Sequence, residues 1–334
     1  MHKGSEFLVI RALLRSNSLG VILLLTLTAC QGQTLSNCRP TPPMPPNVKP
    51  GVGGLSLSRD GKKLVVAGGD AKIRFVDMTT EEVQRTLTGH TNAIYTAVFN
   101  PDEKLVASSS RDRTARIWDV STGRELQKLN GFRCSVKAVA FSPDSQMLAA
   151  AGNDGMVKLW DVKTGRELKS LVHINSTDID MSVYSITFGR DGKKIYAANG
   201  DGTISEWDVA AGKEARVWKA HDHTILRLVF SPDYSLLASF GDAVVKLWEL
   251  LAASSIGLDQ KQTSYVYVQA LVWNVKSGEK LFTVEGHKFD IDGLVFTRDD
   301  RFLMTGSVDT TIKFWDMKTG QESRTFTMPP NGQN

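Results

Sequence analysis

One short pattern recurs along this chain, and its spacing constrains the fold more than any other feature. A tryptophan followed by an acidic residue occurs at Trp118-Asp119, Trp160-Asp161, Trp207-Asp208, Trp248-Glu249 and Trp315-Asp316, with a degenerate copy at Val76-Asp77. Counted from Val76, the successive spacings are 42, 42, 47, 41 and 67 residues, and a further Trp273-Asn274 lies inside the longest gap. Such a period predicts an array of similar units that are stable only when they stack on one another.

Each repeat contains four short runs separated by turn residues. In the copy that surrounds Trp118 the runs cover residues 94–99, 105–109, 115–118 and 125–129. Short runs rich in β-branched and aromatic residues, bounded by Gly, Pro, Asp and Ser, predict strands. The middle runs are apolar without strict alternation, which indicates burial on both faces. Glycine recurs five residues after the tryptophan, and at a fixed turn position it predicts a positive φ. These glycines are Gly123, Gly165, Gly212, Gly278 and Gly320.

A repeat of about 40–45 residues with Gly-His near its start and Trp-Asp near its end resembles the WD40 family. The resemblance extends over residues 51–328. It implies an all-β propeller of six four-stranded blades around a central channel. The alternative is seven blades, with a degenerate one at 249–273. We prefer an insertion there, because 25 residues barely hold three short strands and their turns.

The resemblance also implies a buried network in each blade. It joins the loop His, a Ser or Thr of the second strand, an Asp of the hairpin and the Trp indole. Blades three and four carry Phe132, Ile179, Ala150 and Ala197 at the His and hydroxyl positions, so we expect incomplete networks there. The network residues are His90, Ser108, Asp112, Trp118, Asp154, Trp160, Asp201, Trp207, His221, Ser239, Asp242, Trp248, His287, Thr305, Asp309 and Trp315.

Sets of His, Ser and Asp also suggest catalytic triads. The structural interpretation is favoured, because the sets recur in several blades whereas a hydrolase needs one. The sequence contains no Gly-rich phosphate loop, no His-Glu-x-x-His, no paired Cys spacing and no Gly-x-Ser-x-Gly. His221 and His223 lie two residues apart, but His221 is already the loop His. We therefore predict a protein that is not an enzyme and has no cofactor or metal.

The first 29 residues have the organisation of a signal peptide. Lys3, Arg11 and Arg15 form a basic region, and residues 19–29 form an apolar stretch of 11 residues, which is too short to span a bilayer. The stretch ends in Leu27-Thr28-Ala29-Cys30, which resembles a bacterial lipobox with Cys30 as the lipidated residue. An ordinary secretory peptide is the alternative. The absence of Asp after Cys30 favours the outer membrane over the inner one.

Residues 30–50 hold six prolines and predict an extended tether between the lipid anchor and the propeller. The propeller then covers 51–328 and a short tail covers 329–334. Cys38 lies in the tether and Cys134 in a loop between blades. An exported protein permits a disulfide between them, and two free thiols are the alternative.

The formal net charge is +4, of which +2 comes from the first 29 residues, so the remainder is too balanced to indicate nucleic acid. WD40 proteins typically bind other proteins on the face that carries the hairpins and inter-blade loops. We predict a monomeric scaffold in the cell envelope that binds protein partners, with a channel enzyme and an envelope-assembly factor as alternatives. The residues predicted on its binding face are Tyr95, Arg111, Lys137, Asn153, Tyr184, Asp290 and Asp292.

Overall fold

The computed structural model describes residues 52–172, 181–241, 269–288, 291–307 and 309–327. These residues form 24 strands in six separate sheets of four strands each. Every pair of neighbouring strands is antiparallel; in blade two, for example, β5 pairs with β6 and β7 with β8. The expected all-β fold of six four-stranded blades is confirmed.

Blades one to three follow one another along the chain. Blade one contains β1 (Val52–Leu57), β2 (Lys63–Gly68), β3 (Lys72–Asp77) and β4 (Glu82–Thr88). Blade two contains β5 (Ile94–Phe99), β6 (Leu105–Ser110), β7 (Ala115–Asp119) and β8 (Glu125–Leu129). Blade three contains β9 (Val136–Phe141), β10 (Met147–Gly152), β11 (Met156–Asp161) and β12 (Glu167–Val172).

Blades four to six complete the ring. Blade four contains β13 (Val183–Phe188), β14 (Lys194–Asn199), β15 (Thr203–Asp208) and β16 (Lys213–Lys219). Blade five contains β17 (Ile225–Phe230), β18 (Leu236–Gly241), β19 (Ala270–Asn274) and β20 (Lys280–Val284). Blade six contains β21 (Ile291–Phe296), β22 (Phe302–Ser307), β23 (Thr311–Asp316) and β24 (Glu322–Thr327).

Blade five corrects the position predicted for the insertion. Its third strand is Ala270–Asn274, which pairs with β18 on one side and β20 on the other. The insertion therefore separates the second and third strands and does not extend to residue 273. Residues 242–268, with Asp242 and Trp248 among them, lie outside the described residues.

Neighbouring blades pack face to face through apolar side chains. Between blades one and two, Ile73 and Phe75 of β3 pack with Val106 and Trp118 of the next sheet. The sheets of blades two to five are thereby covered on both sides, which explains why their middle strands are apolar without alternation. The outermost strand of each blade remains polar and largely exposed, as in β8 with its Glu, Gln and Lys side chains.

The turn after each third strand shows why glycine recurs there. Gly123, Gly165, Gly212, Gly278 and Gly320 have φ between 66° and 74°, so the predicted positive φ is confirmed at all five positions. Glu81 takes the same place in blade one, with φ of 61°. A side chain in this left-handed conformation costs free energy that glycine avoids.

Antiparallel topology sends all turns between second and third strands, and all loops between blades, to one side of the ring. We call this side the upper face, and the side with the other turns the lower face. Each first strand begins at the upper face and lies next to the central channel. Among the described residues, no helix is long and apolar enough to cross a membrane.

Candidate interaction face

Blade two contains a continuous chain of hydrogen bonds beneath the upper face. The indole N–H of Trp118 donates to Ser108 Oγ at 2.9 Å, and Ser108 Oγ lies 2.8 Å from His90 Nε2. His90 Nδ1 lies 2.7 Å from Asp112 Oδ2. Trp118 must donate, so the consistent arrangement runs from indole to hydroxyl to imidazole to carboxylate, with the proton of neutral His90 on Nδ1. The structure thus brings the four predicted side chains together.

The charge state of this network follows from its surroundings. Burial lowers the pKa of His90, although Asp112 opposes that effect, so the imidazole stays neutral. Burial alone would raise the pKa of Asp112, but hydrogen bonds from His90 and Thr114 outweigh it and the pKa is lowered. The backbone N–H of Thr91 also donates to this carboxylate at 3.0 Å. An ionised carboxylate therefore ties the inter-blade loop to the hairpin.

Blade six repeats the arrangement with a threonine hydroxyl. Trp315 Nε1 donates to Thr305 Oγ1 at 2.8 Å, and Thr305 Oγ1 lies 2.6 Å from His287 Nε2. His287 Nδ1 lies 3.0 Å from Asp309 Oδ2. Burial raises the pKa of Asp309, but hydrogen bonds led by that of Thr311 lower it to about 2.

Blade five uses a different tryptophan from the one predicted. Trp273 Nε1 donates to Ser239 Oγ at 2.9 Å, and His221 Nε2 lies 2.8 Å from the same oxygen. The expected partner, Trp248, was therefore wrong for this network. Its spacing fits the period, but the third strand begins after the insertion and supplies Trp273 instead.

Blades three and four depart from the pattern in different ways. In blade three, Phe132 packs against Trp160 with ring centroids 5.6 Å apart, and the Asp154 carboxylate accepts from the backbone N–H of Arg133 at 2.9 Å. In blade four, Trp207 Nε1 donates to Ser205 Oγ at 3.1 Å. Asn199 Nδ2 donates to that same hydroxyl at 3.1 Å. Ile179 lies outside the described residues.

Sequence reasoning missed some members of these networks. Ser205 lies on the third strand rather than the second. The second-strand position where we expected a hydroxyl is Ala197 in this blade. Thr114, Thr203 and Thr311 donate to the carboxylates of Asp112, Asp201 and Asp309 at 2.6, 2.6 and 2.5 Å. The recurring Asp-x-Thr in these three copies was a usable signal. In blade one, Asp70 is instead paired with Arg74.

A cluster of Tyr95, Lys137 and Tyr184 lies at the channel mouth, and we call it the mouth cluster. Lys137 Nζ lies 3.9 Å from the ring centroid of Tyr95 and 5.8 Å from that of Tyr184. The three residues occupy equivalent places in β5, β9 and β13, where the strand register shifts by one residue. A β-bulge re-aims the side chain of its extra residue. The repeated bulge therefore brings side chains of three blades to one place.

Two other predicted face residues lie farther out. Arg111 and Asn153 are at the hairpins between second and third strands of blades two and three. Their backbone N–H groups donate to Ala93 O at 2.9 Å and Ser135 O at 3.0 Å, which fixes each hairpin to a loop. Asn153 Oδ1 is buried and has no hydrogen-bond partner among the described residues. Asp290 and the side chain of Asp292 lie outside the described residues.

Cys134 is disulfide-bonded and buried in the loop that enters blade three. Cys30 and Cys38 are the other cysteines of the chain, and both lie outside the described residues. Within the described part of the chain, no group of three or more His, Cys, Asp or Glu side chains is arranged to hold a metal ion.

Six four-stranded antiparallel sheets packed around a channel define a six-bladed β-propeller. The family model for the WD domain, G-beta repeat matches residues 81–119, 123–161, 168–208, 212–249 and 278–316, which is more than half of the chain. The chain therefore belongs to the WD40 repeat family. The fourth match ends at Glu249. The family model therefore aligns Trp248 with the tryptophan position of the repeat, as the repeat spacing does, whereas in the structure Trp273 of β19 occupies that position.

Curated relatives share short stretches with this chain. The target of rapamycin complex subunit wat1 of Schizosaccharomyces pombe is 29% identical over 105 residues, which is 31% of this chain and 26% of that protein. Eukaryotic translation initiation factor 3 subunit I of Meyerozyma guilliermondii is 40% identical over 60 residues, 18% of this chain and 17% of that protein. Pre-mRNA-processing factor 19 of Mus musculus is 38% identical over 64 residues, 19% of this chain and 13% of that protein. The chain thus spans about a quarter or less of the length of these relatives.

Proposed function

We propose that this WD40 propeller is an exported, lipid-anchored scaffold that binds protein partners through its upper face and carries out no catalysis itself. WD40 propellers generally bind proteins, and two of the relatives above are named as subunits of larger assemblies. The scaffold proposal rests on one observation above all, the mouth cluster. The anchoring part rests on the leader sequence and on the disulfide at Cys134.

The mouth cluster suits a protein-binding site because it presents aromatic surface from a rigid base. Tyrosine is enriched among the residues that contribute most to protein interfaces. Tyr95 and Lys137 remain partly exposed, and their strands are fixed in the blade sheets. Little conformational entropy is lost when such preorganised side chains are covered. The partner class favoured by this chemistry is a folded or extended protein segment with a carboxylate near an apolar side chain.

The hydrogen-bond networks support a scaffold rather than a triad enzyme. Ser108, which resembles a nucleophile in sequence, is fully buried and holds both an indole N–H and an imidazole. A nucleophile must reach its substrate, and this hydroxyl lies inside a blade. The same holds for Thr305, which is also fully buried.

Binding can be tested with affinity capture from cell envelopes. We expect Tyr95→Glu together with Arg111→Glu to lose partners that the unaltered chain retains, because both positions lie on the upper face. The matched control is Leu126→Glu with Leu281→Glu, which alters two exposed side chains of the outer strands. Loss of the same partners in both double variants would contradict an upper-face site, provided that both retain the melting temperature of the parent.

Anchoring can be tested separately. Cys30→Ser expressed in a bacterial host should abolish labelling by radioactive palmitate. Lys3→Ser, which alters the basic region without removing the lipidated thiol, is the control. Labelling that persists in Cys30→Ser would contradict the lipid anchor without affecting the binding proposal. The outer-membrane location and the monomeric state remain part of the same proposal, and density fractionation and sedimentation test them.

A further inference from the structure

The ring has five similar junctions between blades and one different junction. At each of the five junctions from blade one to blade six, a single apolar cluster contains residues of both blades. At the junction between blades six and one, which we call the seam, the apolar residues fall into two clusters. One contains Met304, Ile312 and Phe314 of blade six, and the other contains Leu55, Leu64 and Val76 of blade one.

The outer strand of blade six shows the difference most directly. Phe326 of β24 is 50% exposed. Leu129, at the equivalent position of blade two, is 2% exposed, and Leu171 in blade three is also 2% exposed. These leucines belong to the clusters that join their own blade to the next. Phe326 has a larger apolar surface than either leucine, yet the following blade leaves half of it uncovered.

Gly306 of β22 lies next to space that no described residue fills. A β-carbon added to Gly306 would meet no atom of the described residues within 4 Å. The equivalent residues of blades one, three and four are Ala67, Ala151 and Ala198, all fully buried, and blade five has Phe240 there. On the other side of the seam, Val76 stands where the receiving blade otherwise presents a tryptophan. Both sides therefore lack side-chain volume that the other junctions contain.

The fourth strands differ in what they contact on the lower face. At four junctions a side chain of the fourth strand donates to a carbonyl of the next blade. Three of these bonds run from Arg85 to Val120 O at 2.9 Å, from Gln127 to Lys163 O at 3.1 Å and from Arg216 to Val275 O at 3.0 Å. Lys169 does the same toward blade four, with 2.8 Å to Val209 O. The equivalent Arg324 instead lies over Phe314 of its own sheet, 3.9 Å from the ring centroid.

A turn-to-turn hydrogen bond joins blades six and one on the lower face, where Arg298 Nη2 donates to the carbonyl of Arg59. We propose that the propeller is a split ring that opens at the seam before any other junction separates. The Arg298 contact is the latch, and opening uncovers the aromatic face of Phe314 and Phe326. The device is independent of which partner the upper face binds.

Hydrogen exchange followed by mass spectrometry tests this on the full chain. The second strands are suitable reporters, because each is hydrogen-bonded to a strand on both sides. We expect amides of β2 and β22 to exchange at least about tenfold faster than those of β6 and β10, because seam opening uncovers one face of blades one and six and so lowers the free energy needed to separate their strands. Uniform exchange in all second strands would overturn the split ring.

Three variants add the causal test. Gly306→Val should fill the seam and slow exchange in β22 and, across the seam, in β2. Arg298→Ala should remove the latch and accelerate both strands. Ser145→Ala is the control, because it removes the 3.1 Å bond from Asn100 Nδ2 at the junction of blades two and three, where the apolar cluster is continuous. Slowing confined to β22 in Gly306→Val, or equal acceleration by Ser145→Ala and Arg298→Ala, would contradict the proposal.

Discussion

The indole of Trp273 and the hydroxyl of Ser239 are joined by a hydrogen bond of 2.9 Å across 34 residues of chain. In blade two the equivalent bond, from Trp118 to Ser108, closes over 10 residues. Blade five therefore keeps the bonds among its Trp, Ser and His side chains although its hairpin has been interrupted. The insertion changes the length of chain between two strands and leaves their pairing intact.

This bond predicts which tryptophan stabilises blade five. Trp273→Phe removes the indole donor to the buried hydroxyl of Ser239 and should lower the free energy of unfolding by about 1–3 kcal/mol. Trp248→Phe leaves that bond in place and should lower the free energy of unfolding by less than Trp273→Phe does. Urea unfolding monitored by circular dichroism measures both. Equal losses in the two variants would refute the assignment of Trp273.

Asp112 and Asp154 occupy the same hairpin position in blades two and three and differ in what they bind. Asp112→Ala leaves His90, Thr91 N–H and Thr114 without their acceptor. Asp154→Ala leaves two backbone N–H groups, those of Arg133 and Met156. We expect a loss of about 2–4 kcal/mol for the first and about 1–2 kcal/mol for the second. The denaturant midpoints at constant m-value provide the comparison, and identical midpoints would contradict the difference between the networks.

The repeat made most of this architecture predictable from the sequence. Tryptophan and aspartate recur where the side-chain network needs them, and glycine recurs where the turn needs a positive φ. The prediction failed in blade five, where Trp248 has the expected spacing from Trp207 but the third strand begins only at Ala270. Periodicity alone cannot detect residues inserted between two strands of a hairpin. Ser205 was missed for another reason, since its hydroxyl reaches the same indole position from the third strand.

The mouth cluster was predictable as a set of positions but not as a contact. Tyr95, Lys137 and Tyr184 occupy one column of the repeat, so the pattern put them on neighbouring first strands. The bulges that bring Lys137 Nζ to 3.9 Å from the Tyr95 ring centroid depend on register, which no residue pattern in the chain reveals. One side of the seam was visible in the sequence, where Val76 replaces the tryptophan, but the other was not, because the strand pattern of blade six is as complete as that of blade two.

His221 gives blade five a dependence on pH. Burial lowers its pKa to about 4, whereas an unfolded His has a pKa of about 6.5. Between these values the unfolded state binds a proton that the folded state does not, so stability falls as pH decreases from about 6.5 to about 4. The loss reaches at most about 3 kcal/mol, at 1.36 kcal/mol for each pKa unit.

The variant His221→Gln should flatten this part of the stability profile, because glutamine does not titrate. His223→Gln is the matched control, since His223 is exposed two residues later. Chemical denaturation at pH 7, 6, 5 and 4 gives the slopes. A profile that His223→Gln flattens as much as His221→Gln would show that His221 is not its source.

Replacing Glu81 with glycine should stabilise the protein. Its φ of 61° matches the φ of 74° at Gly123, and the N–H of each residue donates at 2.8 Å to the carbonyl four residues earlier. Glu81→Gly therefore relieves a left-handed side chain and should stabilise the protein by about 0.5–1 kcal/mol, the strain relieved being partly offset by greater freedom of the unfolded chain. Glu81→Ala is the control, because it removes the carboxylate and keeps the β-carbon. A melting temperature that rises equally in both variants would attribute the gain to charge rather than to backbone conformation.

The disulfide at Cys134 and the proposed lipid on Cys30 constrain one another. A thiol that carries a lipid through a thioether cannot also form a disulfide, so lipidation of Cys30 leaves Cys38 as the partner of Cys134. Cys38→Ser should then expose one reactive thiol after denaturation without reduction, whereas Cys30→Ser should expose none in the mature protein. Alkylation with a mass tag, followed by peptide mapping, distinguishes the two thiols. A free Cys134 thiol in Cys30→Ser would assign the disulfide to Cys30 and would exclude its lipidation in the same molecule.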